Sequence, residues 1–457
     1  MNRTRTAPRP PLAGVSGPVP TEIERASSSD LMQFAVEQCP TRWHAGAILL
    51  LESTLALDPS QLADALDERL AAVPRLRQRL QRTPFGCGRP VWVDDPAFGV
   101  RRHVRMVTCP SPGDDGTLLD LAARVSAQPL PADRPRWSLT YVTGLTGGRS
   151  AVVLVFHHVL TDGMGGLGVL AHLVDGAPTA LRREPGPAPS RRRLAVDAAR
   201  TRLRAVLRLR TGLRRLRDGL GELGAGRPPS APRSSLNRPT GQHRRFVMVD
   251  VDLEAVRATA RAHGGTINDL LLTAVTAALR ELLLDRGEVV DSLVVSVIVS
   301  GRTQTPTGEL GNEVGAIPVS LPLTGAPVER LEHIAAVMET RKQPARGASA
   351  ALMVPVFRLL GALRVLHRLL DRQRLVNTLV TNLPGPTDRL SFLGVPITRL
   401  IPVTTSAGNV SISFAALSYA GTLTVTAAVD PENWTDRELI VEHLRRALDD
   451  LVAPVAG

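Results

Sequence analysis

At 457 residues and 49.0 kDa, with 43% hydrophobic residues, the chain holds enough material for two domains of ordinary size. Its net charge of +12 favours polyanionic partners, but aromatics are only 3% and no helix-turn-helix, zinc-finger or aromatic-basic motif occurs, which leaves anionic lipid and phosphorylated co-substrates ahead of nucleic acid. Cys39, Cys87 and Cys109 lie at no metal or disulfide spacing, no apolar run approaches the roughly 18 residues of a membrane span, and the first residues lack the apolar core of a signal peptide, so the expectation is a cytoplasmic protein, soluble or peripheral on the inner membrane surface.

Residues 1–25 are rich in proline and arginine and read as disordered. A Ser27-Ser28-Ser29-Asp30 cap introduces a short helix over Leu31 to Val36. Ala45 to Leu51 reads as a strand. Pro59 to Leu70 reads as a helix with Leu62, Ala65, Leu66 and Leu70 on one face. Val91 to Val93 and Val100 to Met106 suggest strands, Thr117 to Ala127 a helix, and Trp137 to Thr143 a strand beside the next one.

That next strand is Ala151 to Phe156, six apolar residues in a row, ending in His157-His158-Val-Leu-Thr-Asp162-Gly163. Side chains alternate along a strand, so the two histidines should point to opposite sides, one packing and one facing a cleft. Histidine titrates near neutrality and can take a proton from a hydroxyl. Asp162 could order the loop or meet a distant arginine, and Gly163 relaxes the backbone. The plain alternative is that two adjacent histidines merely end a strand. His158 and Asp162 would make two metal ligands, but a catalytic zinc wants three, and no HExxH or paired CxxC supplies them. A GxSxG elbow and a GxxxxGK[ST] loop are also absent. A helix over Leu167 to Val174 then closes an α/β unit spanning residues 26–178.

Residues 179–240 differ in composition, with thirteen arginines between Arg182 and Arg217. Ala199, Leu203, Val206, Leu209, Leu213, Leu216 and Leu220 recur at three- or four-residue intervals, which describes a basic amphipathic helix. It could be a crossover helix that packs its leucines on the protein, or one lying on an anionic membrane or lipid-droplet surface. A Gly-, Pro- and Ser-rich linker, Gly221 to Pro239, follows.

The second half, 241–457, opens with a strand over Phe246 to Val251. Thr266 with Asp269 three residues on resembles a capping box, so Asn268 and Asp269 read first as helix capping and interdomain contact. Leu293 to Val299, Phe392 to Val403, Val410 to Ala416 and Thr422 to Val429 read as strands. Met353 to Leu370 is apolar and basic, either core or lipid-facing. Thr435 is the expected cap of a final helix burying Ile440, Leu444, Leu448 and Leu451.

The HHxxxDG pattern of His157, His158, Asp162 and Gly163 resembles that of CoA-dependent acyltransferases related to chloramphenicol acetyltransferase and peptide-synthetase condensation domains. Further segments resemble the bacterial wax ester synthase/diacylglycerol acyltransferase family in its own order. They are Ser29-Asp30 with Trp43-His44-Ala45-Gly46, Leu236-Asn237 through Arg244-Arg245-Phe246, Thr266-Ile267-Asn268-Asp269, Gly311-Asn312, Thr381-Asn382-Leu383-Pro384-Gly385-Pro386, Ser418-Tyr419-Ala420-Gly421 and Asp430. The resemblance implies two chloramphenicol acetyltransferase-like α/β domains side by side, with a substrate tunnel between them. It implies acyl transfer from acyl-CoA, as co-substrate and with no cofactor or metal, to an alcohol or diacylglycerol. His158 would be the general base, with His157 and Asp162 holding the loop and Asp162 salt-bridged. Thr381, Asn382, Pro384 and Gly385 would meet substrate, and Asn382 or an amide near Gly165 and Gly166 would face the oxyanion. Two departures bear on the acceptor: Pro135-Arg136-Trp137 stands where the family has Pro-Leu-Trp, and Thr381 where it has serine. A natural-product acyltransferase and an idle lipid-associated binding protein on the same scaffold are the competing readings.

Overall fold

Local capping and two-residue periodicity account for most elements of the chain. The computed structural model describes residues 23–36, 42–55, 57–177, 185–207, 230–300, 314–342, 365–405 and 408–452. The first half contains α1 (Ser28–Val36), β1 (His44–Leu51), α2 (Pro59–Leu70), β2 (Gln78–Gln81), β3 (Val91–Asp94), β4 (Val104–Thr108), α3 (Asp115–Ala127), β5 (Trp137–Thr143), β6 (Ser150–His157), α4 (Gly163–Leu173) and α5 (Arg191–Leu207). After the crossover come β7 (Arg245–Asp252), α6 (Leu253–Ala262), α7 (Ile267–Leu284), β8 (Ser292–Ser300), β9 (Val314–Pro322), α8 (Pro327–Lys342), α9 (Leu366–Leu370), β10 (Thr378–Leu383), β11 (Ser391–Phe392), β12 (Val395–Val403), β13 (Ile412–Tyr419), β14 (Thr422–Val429) and α10 (Arg437–Val452). The expected disordered segment up to residue 22, the helix and linker over 208–229, the Gly311-Asn312 turn and residues 353–364 lie outside the described residues.

Two six-stranded sheets organise the fold, in the orders β11-β12-β1-β6-β5-β4 and β7-β14-β13-β10-β8-β9. The unbroken apolar run of β6 follows from burial on both faces. Ala151, Val153 and Val155 pack toward α3 with Leu118, Leu119 and Ala122, whereas Val152, Leu154 and Phe156 join the cluster of Leu62 and Leu66 from α2 and Leu170 from α4. In the second half α7 is buried almost all round, beneath Leu293, Val295 and Val297 of β8.

The second half does not stay in its own sheet. β12 pairs antiparallel with β1, Leu49 opposite Leu400, so residues 391–403 complete the sheet of the first half and interrupt the expected 241–457 unit. The continuous strand expected over Phe392 to Val403 is a hairpin, turning at Leu393 (φ 50°) and Gly394 (φ 81°). Asp175 holds that turn by accepting from the amides of Leu393 (3.1 Å) and Gly394 (2.8 Å).

Other boundaries moved for local reasons. Val100 to Arg102 forms a 3-10 turn and the strand begins at Val104. In α2 the buried neighbour of Leu62 is Ala63 rather than Ala65. The amide of Leu439 donates to Asp436 Oδ1 at 3.0 Å, so Asp436 and not Thr435 caps the last helix. Helices α6 and α8 and strands β9 and β10 are absent from the elements read in the sequence, although α6 is marked there by its Asp252 cap, which accepts from the Ala255 amide at 2.7 Å, and by Gly264-Gly265 beyond its end. Leu236-Asn237 owes its character to an amide cluster. Asn237 Oδ1 accepts from Asn377 Nδ2 (2.7 Å), Asn237 Nδ2 donates to the Val376 carbonyl (2.9 Å), and Asn377 Oδ1 accepts from the Val294 amide (2.9 Å).

Candidate active site

The histidine pair sits where β6 ends. His157 falls on the α3 face of the sheet and is fully buried, with Nδ1 accepting from the Val159 amide at 2.9 Å. That bond requires an unprotonated Nδ1, and burial holds the His157 pKa well below 6.5. Its cross-strand partner His44 lies with ring centroids 5.8 Å away and bonds through Nδ1 to the Ser126 carbonyl of α3 at 2.8 Å. Neither residue of this pair faces open solvent. They brace the strand end.

His158 is the first residue past the strand. Its amide donates to the Trp43 carbonyl at 3.2 Å and its ring tilts against the Trp43 indole with centroids 5.3 Å apart. The indole is in turn held by Gln33 of α1. Burial lowers the His158 pKa to about 4, against the opposing pull of the Asp162 carboxylate and a hydrogen bond to the backbone of Thr161. The ring is therefore neutral, and able to accept a proton, across the physiological range. Trp43 and His44 are site residues that the sequence reading passed over as mere family markers. Their signal was an aromatic-histidine pair entering a strand.

Asp162 begins α4. Its Oδ1 accepts from the Gly165 amide at 2.9 Å and its carbonyl from the Gly166 amide at 2.8 Å. The cap starts the helix at Gly163, four residues before the Leu167 start read from sequence, because capping and packing outweigh the poor helix propensity of three glycines. Gly165 and Gly166 are there for space. A Cβ on Gly165 would lie 1.8 Å from Thr161 Oγ1, and one on Gly166 2.6 Å from Phe156 Cζ. Because both amides already donate to Asp162, neither remains for an oxyanion.

The Thr381-Asn382 segment comes to the same place from the second half. Leu383 lies against Gly163, 3.0 Å from where a Cβ would project. Within β10, Thr381 shares a face with Leu383, while Asn382 shares that of Val380, which belongs to the second-half core. Gly385 follows because the Ser418 carbonyl would lie 2.1 Å from a Cβ there, and its amide donates to Ser418 Oγ at 3.1 Å. Pro384 is exposed at this bend. The end of β10 and the start of α4 thus meet, with His158 just upstream.

Other expected site residues lie elsewhere. Trp137 is buried, donates Nε1–H to the Leu76 carbonyl at 2.7 Å and stacks on His103 at 4.4 Å, which makes it a core fastening. Arg136 of the unusual Pro135-Arg136-Trp137 triplet lies over the Phe34 ring at 4.9 Å and offers its carbonyl to the His157 amide at 3.0 Å. Asp269 accepts from the Thr266 amide (2.8 Å) and hydroxyl (2.7 Å) in the expected capping box, and no contact among the described residues joins Asn268 or Asp269 to the histidines. Among the described residues no group of three or more metal-ligating side chains is arranged to hold an ion.

Known families agree with this geometry. The model of the wax ester synthase/diacylglycerol acyltransferase catalytic domain matches residues 27–271, and that of the WS/DGAT C-terminal domain matches 310–452. The chain belongs to the wax ester synthase/diacylglycerol acyltransferase family. A Mycobacterium tuberculosis protein named "probable diacylglycerol O-acyltransferase" is 32% identical over 428 residues, covering 89% of this chain and 90% of that one. The solved wax ester synthase/diacylglycerol acyltransferase of Marinobacter aquaeolei superposes with a TM-score of 0.68 at 22% identity, covering 93% of this chain and 98% of that one. The starter condensation domain of rhizomide synthetase, solved with C8-CoA and Leu-SNAC, shares the fold with a TM-score of 0.64 at 16% identity over 95% of each chain. The protein is an acyltransferase of the chloramphenicol acetyltransferase-like fold.

The pH behaviour of this family member follows from its buried histidines. Proton acceptance by His158 requires its neutral ring, and a pKa of about 4 keeps the ring neutral well below pH 6. With His158 as the base, the role proposed below, the acid limb of kcat/KM is expected near pH 4 and not near 6.5. Stability has a different window. Below pH 6.5 the unfolded chain takes up protons that folded His44 resists until about pH 4, so stability is complete above 6.5 and declines between those values. For His44 alone the loss approaches about 3 kcal/mol. Thermal melts at pH 7.5, 6.0 and 5.0 beside a pH–rate profile check both. An acid limb near 6.5 in protein that stays folded would contradict the assignment.

Proposed function

We propose that this acyltransferase moves a long-chain acyl group from acyl-CoA to the hydroxyl of a fatty alcohol or a diacylglycerol, with His158 as general base. The observation that carries the mechanism is a neutral imidazole, held by Trp43 at the end of β6, where the start of α4 meets the end of β10. His158 takes the hydroxyl proton as the oxygen attacks the thioester carbonyl. The tetrahedral intermediate then expels CoA as a thiolate, which recovers the proton. No acyl-enzyme is formed. General-base help supplies about 10² to 10⁴ in rate, and holding the two substrates end to end between the halves supplies much of the remainder. Asp162 and His157 position the loop, and Thr381, on the face of β10 that Leu383 turns toward Gly163, flanks the path of the acceptor, whereas Asn382 lies on the opposite, core-side face. The names of the relatives support both acceptor classes.

Thiol release from palmitoyl-CoA across a panel of acceptors tests this. Release should depend on hexadecanol or a dipalmitoylglycerol. Release only with sugar or peptide acceptors would favour a natural-product acyltransferase, and none with any acceptor would favour an idle scaffold.

A further inference from the structure

Helix α1 reaches the histidine pair with two consecutive side chains. Its start is pinned by reciprocal bonds, the Ser27 amide donating to Asp30 Oδ2 at 2.9 Å and the Asp30 amide to Ser27 Oγ at 3.0 Å. The Ala26 amide adds a bond to the Pro90 carbonyl at 2.9 Å. One turn on, Phe34 lies 6.4 Å from the His157 ring, with the Arg136 guanidinium 4.9 Å over its own. Gln33, only 8% exposed, accepts from the indole Nε1–H of Trp43. An indole nitrogen can only donate, so the amide presents its oxygen. Trp43 and His158 continue the pairing of β1 with β6 one residue beyond His44 and His157. A hydrogen bond to the Thr161 backbone holds the His158 ring, and the Trp43 indole, 5.3 Å away and inclined by 38°, limits how far that ring can tilt about the bond. The outer torsion of a tryptophan is broad, and the bond to Gln33 selects one orientation of it.

We infer that Gln33 is a positioning residue of the acyltransferase site, fixing through the Trp43 indole the place from which His158 works. An indole released from Gln33 turns, and the imidazole that leans on it turns too. A base must lie within hydrogen-bond reach of the hydroxyl it deprotonates, about 2.6–3.2 Å, and a displacement of about 1 Å can cost about 10² in rate. The loss falls on kcat, because Gln33 is buried and bears on the base. A glutamine that served only to fasten α1 to the start of β1 would lower stability and leave the rate of the folded enzyme alone. The inference rests on the proposed role of His158 and adds to it a residue from a helix outside the histidine motif.

Steady-state thiol release by the full chain, run well below the melting temperature of each variant, tests this. Gln33→Met keeps the length and burial of the side chain without its carbonyl acceptor. It should lower kcat about tenfold or more, with KM for acyl-CoA and alcohol within about twofold of wild type. Trp43→Phe keeps a ring against His158 without the N–H and should lose a similar factor. Both changes remove the same interaction, so the double variant should be no slower than the slower single one. Gln33→Glu returns an acceptor to the indole and should recover most of the lost kcat. Wild-type kcat in Gln33→Met, a fall matched by loss of folded protein, or a rise in KM in place of the fall in kcat would each overturn the inference. So would losses that multiply in the double variant, or no recovery in a folded Gln33→Glu. His158→Ala, assayed beside them, keeps the two readings apart. If it stays active, the role of His158 falls and this inference with it; if it is inactive while Gln33→Met is not, only the positioning fails.

Discussion

Replacing His158 by alanine is expected to lower kcat by about 10² to 10⁴ and to leave the thermal midpoint nearly unchanged. The ring is half-buried and leans on Trp43 at the end of β6, where it fastens no strand. His157→Ala should behave in the opposite way. It removes the acceptor of the Val159 amide in a fully buried place, and a stranded buried donor costs about 1–3 kcal/mol. The melting temperature should fall while part of the activity survives. Circular dichroism melts and thiol-release rates on both variants separate the two roles. If His158→Ala kept more than a few per cent of wild-type turnover, the base would have to be sought elsewhere.

The second large effect is predicted away from the chemistry. Gly46 lies in β1 between β6 and β12, and a Cβ there would come within 1.9 Å of the Leu154 carbonyl oxygen. Backbone cannot swing aside as a side-chain end can. Gly46→Ala must therefore pry β1 from β6, and overpacking that ordinarily costs about 1–3 kcal/mol should here reach or pass the upper figure. Loss of soluble protein or a large drop in melting temperature is expected. Gly168 makes the control: it lies within α4 with nothing within 4 Å of a Cβ, so Gly168→Ala should stabilise by up to about 1 kcal/mol. An unchanged melting temperature for Gly46→Ala would show that the strands can part without cost.

Some of this molecule was determined locally and was legible in the sequence. Strand β5 runs from Trp137 to Thr143 as read, since two-residue periodicity and Pro135 mark it without reference to any partner. The capping box of Thr266 and Asp269 is likewise a matter of four consecutive residues. The two histidines do meet different partners, His157 the ring of His44 and His158 that of Trp43, as alternation carried one residue past the strand end suggests. The family could be read because its motifs are short and contiguous.

Tertiary structure decided whatever depended on a distant partner. That β12 leaves the second half to pair with β1, some 350 residues earlier in the chain, is a choice among strands that look alike, and period two does not name a partner. The helix start at Gly163 rests on a cap and on contacts with Thr161 and Phe156, which override what three glycines suggest. The amides of Gly165 and Gly166 were candidates for an oxyanion until Asp162 claimed them. In α5 two apolar stripes compete for one packing site, and the small groove beside Cys87 accepts Leu194 and Ala198 while Leu203 is left outside. Hydrophobicity tells a residue that it can be buried. Only the shape of what it meets decides whether it is.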